Sequence, residues 1–295
     1  FLFIKLSLMK NLYIFGVGLI GGSIALKVRE LFSFDKIVGI GRVGGNSLEG
    51  LVDSGILDSS STKVDKNINQ ADLIIIATPV SQTKNILQEI KPHLNKNTIV
   101  TDVGSTKHDI MNDAKIILEN KFSQFIGSHP IAGSEKHGPL AAKKDLFDKK
   151  NIILTPTIEN EPENIKALTI FWESLGGIVS QMKADEHDQI FSTISHLPHL
   201  LAFSLVNLIN NKTNKDTLLN FAASGFRDFS RIAASSPDVW RDISIQNQKS
   251  IIKDLTLFQK EITKITNFIE TKDKKALEEY LKLASKTRKN WIKED

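Results

Sequence analysis

The sequence predicts an α/β protein, with an N-terminal Rossmann-type, doubly wound domain followed by an all-α domain. In the first part, short apolar strand candidates alternate with helical segments, which is typical of a parallel sheet covered by helices on both faces. A glycine-rich turn joins the first strand to the first helix. After about Ser180 no strand candidate follows and apolar residues recur at helical spacing, which predicts a helical second domain.

The strand candidates are short apolar runs. They are Asn11–Phe15, Lys36–Ile40, Ala71–Ala77, Thr98–Thr101 and, more weakly, Gln124–Ile126. The run Ala71–Ala77 is apolar almost without alternation, as expected for a strand covered on both faces. A helical pattern that runs through Leu31 separates the first two strands, so the order of elements fits a parallel sheet.

The second domain is predicted from apolar stripes at helical spacing. The first stripe consists of Ile190, Ile194, Leu197, Leu201, Leu205 and Leu208, with a second face of Phe203, Val206 and Ile209. Because that helix is apolar nearly all round, we expect it to be buried. A further stripe runs from Ile251 to Ile269. We place the boundary near Gln181, with a Rossmann-type domain over residues 9–181 and an all-helical domain over residues 182–295. The apolar surface fits either an ordinary helical core or, as we favour, a homodimer interface.

The composition excludes several classes of function. The 295 residues have a net charge of +4, and their lysines are spread along the chain, so we expect no nucleic-acid partner. The absence of cysteine excludes disulfides and cysteine-based metal sites and fits a cytoplasmic location. Because no apolar run approaches the ~20 residues of a membrane span, we expect no membrane association. We expect residues 1–8, which precede Met9, to be an upstream extension or a frayed tail without function.

The glycine-rich turn indicates a dinucleotide site. Gly16, Gly18 and Gly21 form a GxGxxG motif between a strand and a helix. In such a motif the first glycine permits a tight turn, the second lets the backbone approach a pyrophosphate, and the third allows close helix–strand packing. The helix N-terminus then offers free N–H groups to the phosphates. The alternative is a glycine-rich turn in another kind of α/β protein.

The end of the second strand bears on the choice of cofactor. An acidic residue there would bind the adenosine ribose hydroxyl of NAD. This strand instead ends in Gly39-Ile40-Gly41-Arg42. Glycine leaves room for a 2′-phosphate and arginine can bind it through two hydrogen bonds, which favours NADP. The alternative is that Arg42 stacks on the adenine or faces solvent, and that the cofactor is NAD.

Further motifs follow the glycine loop in a specific order. They are Ala77-Thr-Pro-Val80, Asp102-Val-Gly-Ser-Thr-Lys107, Ser128-His-Pro-Ile-Ala-Gly-Ser-Glu135, Asp185-Glu-His-Asp188, Ser195-His-Leu-Pro-His199 and Arg231-Ile-Ala through Trp240-Arg-Asp242. Together they resemble the prephenate dehydrogenase family, which includes cyclohexadienyl and arogenate dehydrogenases. The resemblance covers nearly everything from Met9 to the C-terminus. It implies oxidative decarboxylation of prephenate to 4-hydroxyphenylpyruvate in tyrosine biosynthesis, with hydride transfer to NAD(P).

The implied reaction needs a base. Oxidation of prephenate sends a hydride from C4 to the nicotinamide, and the C4 hydroxyl proton must leave as the carbonyl forms. By resemblance His129 is that base; it lies just beyond a predicted strand, at the sheet edge where ligands bind in open α/β folds, and neutral imidazole suits the role. Ser105 is implied to hydrogen-bond the C4 hydroxyl or to orient His129, although serine there also suits an N-cap.

The resemblance implies further contacts with substrate and cofactor. Arg231 is the implied carboxylate clamp, because guanidinium binds a carboxylate through two hydrogen bonds; its alternative is a surface ion pair with Asp228 or Asp238. Pro198 is expected to kink the helix that carries two of the substrate contacts. The remaining implied substrate contacts are Ser195, His199, Ser134, Glu135, Trp240 and Arg227. Of these, Trp240 also suits a core position, and Arg227 is implied to act across a dimer. The implied cofactor contacts besides the glycines are Leu19, Ile20, Thr78, Pro79 and Asp102.

Several alternatives stay open. Another two-domain dehydrogenase would share the glycine loop but would not be expected to carry the motifs around His129 and His199. A protein that senses NAD(P) without turnover would tolerate replacement of His129 and Arg231. A metal site is not expected, because no pair of histidines has the spacing of a known motif. The sequence does not separate prephenate from arogenate as substrate.

Overall fold

Among the residues that the structure describes, eight strands form one sheet in the N-terminal part of the chain. A computed structural model of the protein describes residues 9–31, 34–41, 48–133 and 138–291. The order across the sheet is β3-β2-β1-β4-β5-β6-β7-β8. The strands are β1 (Asn11–Phe15), β2 (Lys36–Ile40), β3 (Ser59–Ser61), β4 (Leu73–Ile76), β5 (Ile99–Asp102), β6 (Phe125–Pro130), β7 (Asn151–Thr155) and β8 (Ile178–Gln181). This arrangement, with the helices described next, confirms the predicted Rossmann-type, doubly wound fold.

In the described part of the chain, five helices connect the strands, and two hydrophobic cores lie against the sheet. The helices are α1 (Leu19–Leu31), α2 (Glu49–Asp53), α3 (Thr83–Ile90), α4 (His108–Leu118) and α5 (Pro162–Ser174). One core includes Trp172 of α5 and the other includes Leu87 of α3, and both residues are fully buried. All four residues of β4 are buried, as its uninterrupted apolar sequence predicts.

The sequence did not predict β3, β7 and β8. β7 differs from the other strands, because it pairs with β6 in an antiparallel direction, with His129 opposite Ile153. β6 pairs with β5 at Phe125 and Ile126, and from Gly127 to Pro130 it pairs with β7. The strand that carries His129 is therefore held beyond Ile126 by an antiparallel neighbour.

Helices alone follow the last strand among the described residues. They begin with α6 (Ala184–Phe191), a π-helical turn (Ser192–His196) and α7 (Leu197–Asn210), and continue with α8 (Lys215–Asn220), α9 (Ser224–Ser230) and α10 (Pro237–Gln246). The π-turn stands where the sequence predicts a kink at Pro198: the helix widens by one residue just before the proline. Such turns are frequent at functional sites.

The predicted burial of this apolar helix is not observed within one chain. Ala202 is buried in α7, whereas Ile194 and Leu208 are 65% and 55% exposed. The prediction of burial came from the apolar residues on all sides of the helix. It assumed that other parts of the same chain would cover those residues. The continuous helix Ala184–Asn210 has the length and mean hydropathy of a membrane span, which a count of consecutive apolar residues missed; alone this is weak evidence for a membrane.

The residues up to Asn247 form one compact unit, and those from Gln248 form a second. The second unit consists of α11 (Gln248–Glu270) and α12 (Lys274–Asn290). Asp273 caps α12 by accepting a hydrogen bond from the backbone N–H of Ala276 at 2.9 Å. The Tyr280 hydroxyl lies 3.0 Å from a carboxylate oxygen of Glu261, which links the two helices.

Candidate active site

A cleft of about 690 Å³ lies at the carboxyl ends of the parallel strands in the first unit. Its wall combines loops of the sheet with residues of the π-turn, α7 and α10. The predicted site residues that line it are Leu19, Ile20, Thr78, Pro79, Ser105, His129, Ser195, His199, Arg231 and Trp240. The structure therefore brings together residues far apart in sequence, in a cavity of the size that holds small molecules and cofactors.

The glycine loop has the geometry that a dinucleotide needs. Gly16 has a φ of 82°, and a Cβ there would lie 2.8 Å from the carbonyl oxygen of Ala77. A Cβ on Gly21 would lie 2.2 Å from the Gly16 carbonyl oxygen, so glycine is required for helix packing. A Cβ on Gly18, by contrast, has nothing within 4 Å. The Gly18 backbone thus borders open space directly before α1, as a bound pyrophosphate requires.

A buried polar atom in the cleft wall also fits a bound cofactor. The Thr78 hydroxyl oxygen is buried and has no hydrogen-bond partner in the described structure. Buried hydroxyls are normally hydrogen-bonded, so an exception in a cleft points to a ligand partner. Among the residues that the structure describes, no group of three or more His, Cys, Asp or Glu side chains is placed to hold a metal ion.

Three side chains form a hydrogen-bonded relay that ends at His129. His129 Nδ1 lies 2.8 Å from His187 Nε2, and His187 Nδ1 lies 2.8 Å from an oxygen of Asp188. Because the carboxylate can only accept, His187 carries its proton on Nδ1 and accepts from His129 with Nε2. The His129 proton is then on Nδ1, which leaves the Nε2 lone pair free for chemistry. This relay fixes the tautomer that a general base requires.

The carboxylate of Asp188 also fixes the loop that carries Ser105. It accepts hydrogen bonds from the backbone N–H groups of Lys107 at 2.8 Å and His108 at 3.0 Å. These N–H groups belong to the start of α4, so Asp188 caps that helix. Ser105 does not occupy the cap position, which is Lys107. Ser105 lines the cleft instead, so the interpretation of Ser105 as the N-cap is wrong.

Burial keeps both imidazoles of the relay neutral. Burial lowers the pKa of His129 well below 6.5, and repulsion from His187, when that ring is protonated, and from Lys107 lowers it further. Burial also lowers the pKa of His187, although the hydrogen bond to Asp188 opposes this effect. Burial alone would raise the pKa of Asp188, but the hydrogen bonds from His187 and His108 outweigh it, and the pKa is lowered. At neutral pH the relay therefore consists of a carboxylate and two neutral rings.

Asp102, predicted to contact the cofactor, is placed elsewhere. Its side chain is 1% exposed and pairs with the ammonium group of Lys107, which is fully buried. Its oxygens also accept from the backbone N–H groups of Gly104 at 2.8 Å and Ser128 at 3.2 Å. Asp102 does not line the cleft: its carboxylate instead holds the end of β5 to Ser128 of β6 and to the loop that follows β5. Its place at a strand end suggested a ligand contact, but the sequence did not reveal the buried lysine partner.

The other end of the cleft carries aromatic and cationic groups. His199 Nδ1 lies 2.9 Å from the Ser195 carbonyl oxygen, so it donates and leaves the Nε2 lone pair free. The ring of Trp240 stacks on His199, with centroids 3.7 Å apart. Arg231 lines the same region and, among the described residues, forms no ion pair; Asp238 pairs with Arg241 instead. An unpaired guanidinium in a cleft suits a carboxylate ligand.

Besides Asp102, one described residue that was predicted to contact a ligand lies away from this cleft. Arg227 is exposed and does not line it. Arg42, Ser134 and Glu135 lie outside the described residues. The neighbouring Gly133 does line the cleft, so the chain that precedes Ser134 reaches the site.

Sequence reasoning did not assign roles to several residues that the structure places in the site. They are His187, Asp188, Phe191, His196 and Asn247. The motif Asp185-Glu-His-Asp188 placed a histidine beside carboxylates, but adjacent side chains on a helix do not normally face each other, so the spacing did not reveal the pair. Phe191 packs against both relay rings, with centroids 5.0 Å from His129 and 4.5 Å from His187. Its aromatic side chain gave no sign of this role in the sequence.

Comparisons with known proteins point to one family. The family model for "Prephenate dehydrogenase, nucleotide-binding domain" matches residues 24–181, and that for "Prephenate dehydrogenase, dimerization domain" matches residues 183–283. The prephenate dehydrogenase of Bacillus subtilis is 37% identical over 271 residues, which cover 91% of this chain and 72% of the relative.

Two solved structures are also similar. The crystal structure of prephenate dehydrogenase from A. aeolicus, in complex with hydroxyphenyl propionate and NAD+, is 35% identical with a TM-score of 0.88, covering 95% of this chain and 97% of that one. The Synechocystis arogenate dehydrogenase is 28% identical with a TM-score of 0.80, covering 96% of this chain and 100% of that one.

Proposed function

Because the chain belongs to the prephenate dehydrogenase family, we propose that its cleft binds prephenate beside NAD(P) and that His129 is the general base of the reaction. The single observation that carries this assignment is the relay from Asp188 through His187. It places the proton of the neutral His129 ring on Nδ1 and leaves Nε2 free to accept a proton. Oxidative decarboxylation then needs a hydride acceptor, a proton acceptor and a cation for carboxylate.

Each requirement has a group in the cleft. A bound nicotinamide supplies the hydride acceptor for C4. As the hydride leaves C4, His129 Nε2 accepts the proton of the C4 hydroxyl and the carbonyl forms. The resulting imidazolium keeps its Nδ1–H bond to His187, which is itself polarised by the Asp188 carboxylate, so the new charge is stabilised. Loss of carbon dioxide then returns its electron pair through the ring to the C4 oxygen, which takes the proton back from His129, and the ring becomes a phenol.

The other cleft residues bind and orient the substrate. We assign Arg231 to a substrate carboxylate, because its guanidinium is unpaired among the described residues. Ser105 is assigned to the C4 hydroxyl, and Ser195, His199 and Trp240 to the opposite wall. Ser134, Glu135 and Arg227 are kept as substrate contacts on the resemblance of their motifs alone, with Arg227 acting across a dimer.

The cofactor proposal is NADP in preference to NAD. At Gly41 a Cβ would lie 3.4 Å from Leu48 Cδ1, an ordinary contact, so packing does not require glycine there. Packing therefore does not explain why position 41 lacks the acidic residue that would repel a 2′-phosphate. Binding of that phosphate does explain it, and Arg42 follows directly. The Gly41→Asp variant tests this proposal: its preference should move toward NAD. Equal use of both cofactors by the parent and the variant would contradict the role of Gly41.

The reaction is tested by following reduced cofactor with prephenate and arogenate, each against NAD and NADP. Turnover with prephenate is expected, because the B. subtilis and A. aeolicus proteins, at 37% and 35% identity, are prephenate dehydrogenases, whereas the arogenate dehydrogenase is 28% identical. The His129→Ala variant should bind cofactor but lose about 10²–10⁴-fold in kcat. Cofactor binding without turnover by the parent would favour a non-catalytic sensor.

We also propose a cytoplasmic homodimer formed through residues 182–295, with residues 9–181 as the cofactor domain. The uncovered apolar helix Ala184–Asn210 supports an interface with a second copy, as does the description of the matched "dimerization domain". Leu208, which is 55% exposed and outside the cleft, offers a test. The Leu208→Asp variant should sediment as a monomer where the parent sediments as a dimer. A parent that is monomeric at micromolar concentration would contradict the proposal.

A further inference from the structure

The side-chain amide of Asn247 connects two parts of the active site. Its Nδ2 lies 2.7 Å from the backbone carbonyl oxygen of Asp188 and 3.1 Å from Nδ1 of His196. The residue is 4% exposed and directly follows α10, where its backbone N–H donates to the carbonyl of Ile243 at 2.9 Å. A buried amide whose two hydrogens both have acceptors is held in one orientation.

This contact fixes the tautomer of His196. The carbonyl oxygen of Asp188 can only accept, so the NH2 group of Asn247 must face it, and the same group donates to His196 Nδ1. His196 therefore carries its proton on Nε2. Burial lowers the pKa of His196 to about 4, so the ring is neutral at neutral pH. The backbone of Ser105 raises the pKa of His196 but does not outweigh burial. The Nε2 atom of His196 has no hydrogen-bond partner in the described structure.

His196 forms part of the cleft wall. It belongs to the π-turn and borders the cleft. Its ring packs edge-on against Trp240 with centroids 6.0 Å apart, and Trp240 stacks on His199. On its other side, Asn247 holds the residue that anchors the relay to His129. The Asn247 amide is thus hydrogen-bonded both to His196 in the cleft wall and to Asp188, which anchors the relay to His129.

We propose that Asn247 is a positioning residue for the reaction, which holds the π-turn and His196 in register with the relay of Asp188, His187 and His129. Reaction rates are sensitive to such register, because a displacement of about 1 Å at the reacting groups can cost roughly 10²-fold. The inference rests on the proposed function. Asn247 itself is proposed to touch neither substrate nor cofactor. Its role is to align the two sides of the cleft.

The Asn247→Asp variant provides the kinetic test. It keeps the shape of the side chain but replaces the donor with an acceptor, so the bond to the Asp188 carbonyl is lost. We expect kcat with prephenate to fall on the order of 10²-fold, while the affinity for NAD(P), measured by fluorescence quenching, stays unchanged. Asn211→Asp, an exposed position with the same change of charge, is the control. A folded Asn247→Asp protein with the parent kcat would overturn the proposal.

Nitrogen NMR of histidine-labelled parent protein provides a second readout that needs neither a variant nor turnover. A neutral His196 ring with its proton on Nε2 supports the proposal. A charged ring at neutral pH, or a proton on Nδ1, overturns it, even if Asn247→Asp does not fold. If the parent does not turn over prephenate, the proposed function fails, whereas the NMR spectrum still decides whether Asn247 fixes the His196 ring.

Discussion

His129 and His187 are joined by one hydrogen bond of 2.8 Å between Nδ1 and Nε2, and its direction is set by Asp188. If the carboxylate becomes an amide, the direction of the relay is no longer imposed. The Asp188→Asn variant should therefore lose about 10²–10⁴-fold in kcat, because a misplaced proton removes the general base. Steady-state kinetics with prephenate measures this loss.

Asp185 provides the matched control for that change. It lies three residues earlier, its side chain is 68% exposed, and it contacts His108 at the surface. Asp185→Asn should keep the parent kcat. Equal losses in both variants would indicate a general effect on the helix, and a fully active Asp188→Asn protein would show that the relay is dispensable.

Phe191 should set the pH at which the base becomes protonated. Its ring packs against both relay imidazoles, and burial is the largest cause of the lowered pKa of His129. The Phe191→Ala variant admits water, so the pKa should rise toward 6.5. The acid limb of kcat/KM should then move to higher pH, as a pH–rate profile would show. Phe221→Ala, at an exposed site, should leave the limb in place; an unmoved limb in Phe191→Ala would argue against this desolvation.

Two glycines of the first turn should respond differently to alanine. At Gly18 a Cβ meets nothing within 4 Å, so Gly18→Ala should melt like the parent but bind cofactor more weakly, since the methyl group enters the space that we assign to the pyrophosphate. At Gly16 the φ of 82° and the Ala77 carbonyl oxygen 2.8 Å from the Cβ should lower Tm itself. Calorimetry and cofactor titration separate the two effects, and unchanged affinity in Gly18→Ala would place the pyrophosphate elsewhere.

The protein should lose stability in mildly acidic solution. The pKa values of His129, His187 and His196 are all below 6.5 in the folded chain, mainly through burial. Below pH 6.5 the unfolded chain binds more protons than the folded chain, so the stabilisation is complete above 6.5 and is lost as pH falls. For His196, with a pKa of about 4, the loss is about 3 kcal/mol. Urea unfolding between pH 7 and pH 4 measures it; constant stability over that range would show that the rings are charged or hydrated.

Arg231 should contribute to substrate binding more than to turnover. Replacement by methionine removes the cation assigned to a substrate carboxylate, at a cost of about 2–5 kcal/mol in kcat/KM, expressed mainly as a higher KM for prephenate. Arg288→Met, in the exposed part of α12, is the control. An unchanged KM in Arg231→Met would move the carboxylate contact to another residue.

The sequence predicted those parts of the fold that depend on local pattern. The apolar runs at Asn11–Phe15 and Ala71–Ala77 predicted β1 and β4, and the glycine spacing predicted the first turn. β7 was missed although Asn151–Thr155 is apolar, because neither a hairpin turn nor a neighbouring strand pattern marked it. Strand direction depends on long-range packing, which periodicity does not contain.

The site was predicted where a motif names a residue and missed where contacts across the chain define it. His129, Ser105 and Arg231 were identified from their motifs, and the structure places all three in one cleft. The pairing of Lys107 with Asp102 changed the interpretation of Asp102, since burial of an ion pair follows from tertiary structure. The π-turn before Pro198 likewise has a distant partner, because its His196 lies within hydrogen-bond distance of Asn247, 51 residues later in the chain.

The antiparallel strand β7 determines how far the base projects from the sheet. β5 supports β6 as far as Ile126, and His129 lies three residues later, about 10 Å farther along at ~3.3 Å per residue. Over that distance β7 supplies the ladder hydrogen bonds, and β5 contributes through the Asp102 carboxylate, which accepts from the Ser128 backbone N–H. The register of β7 against β6 therefore sets where the imidazole lies relative to the cleft, and a residue inserted within β7 would shift that position without changing any side chain of the cleft.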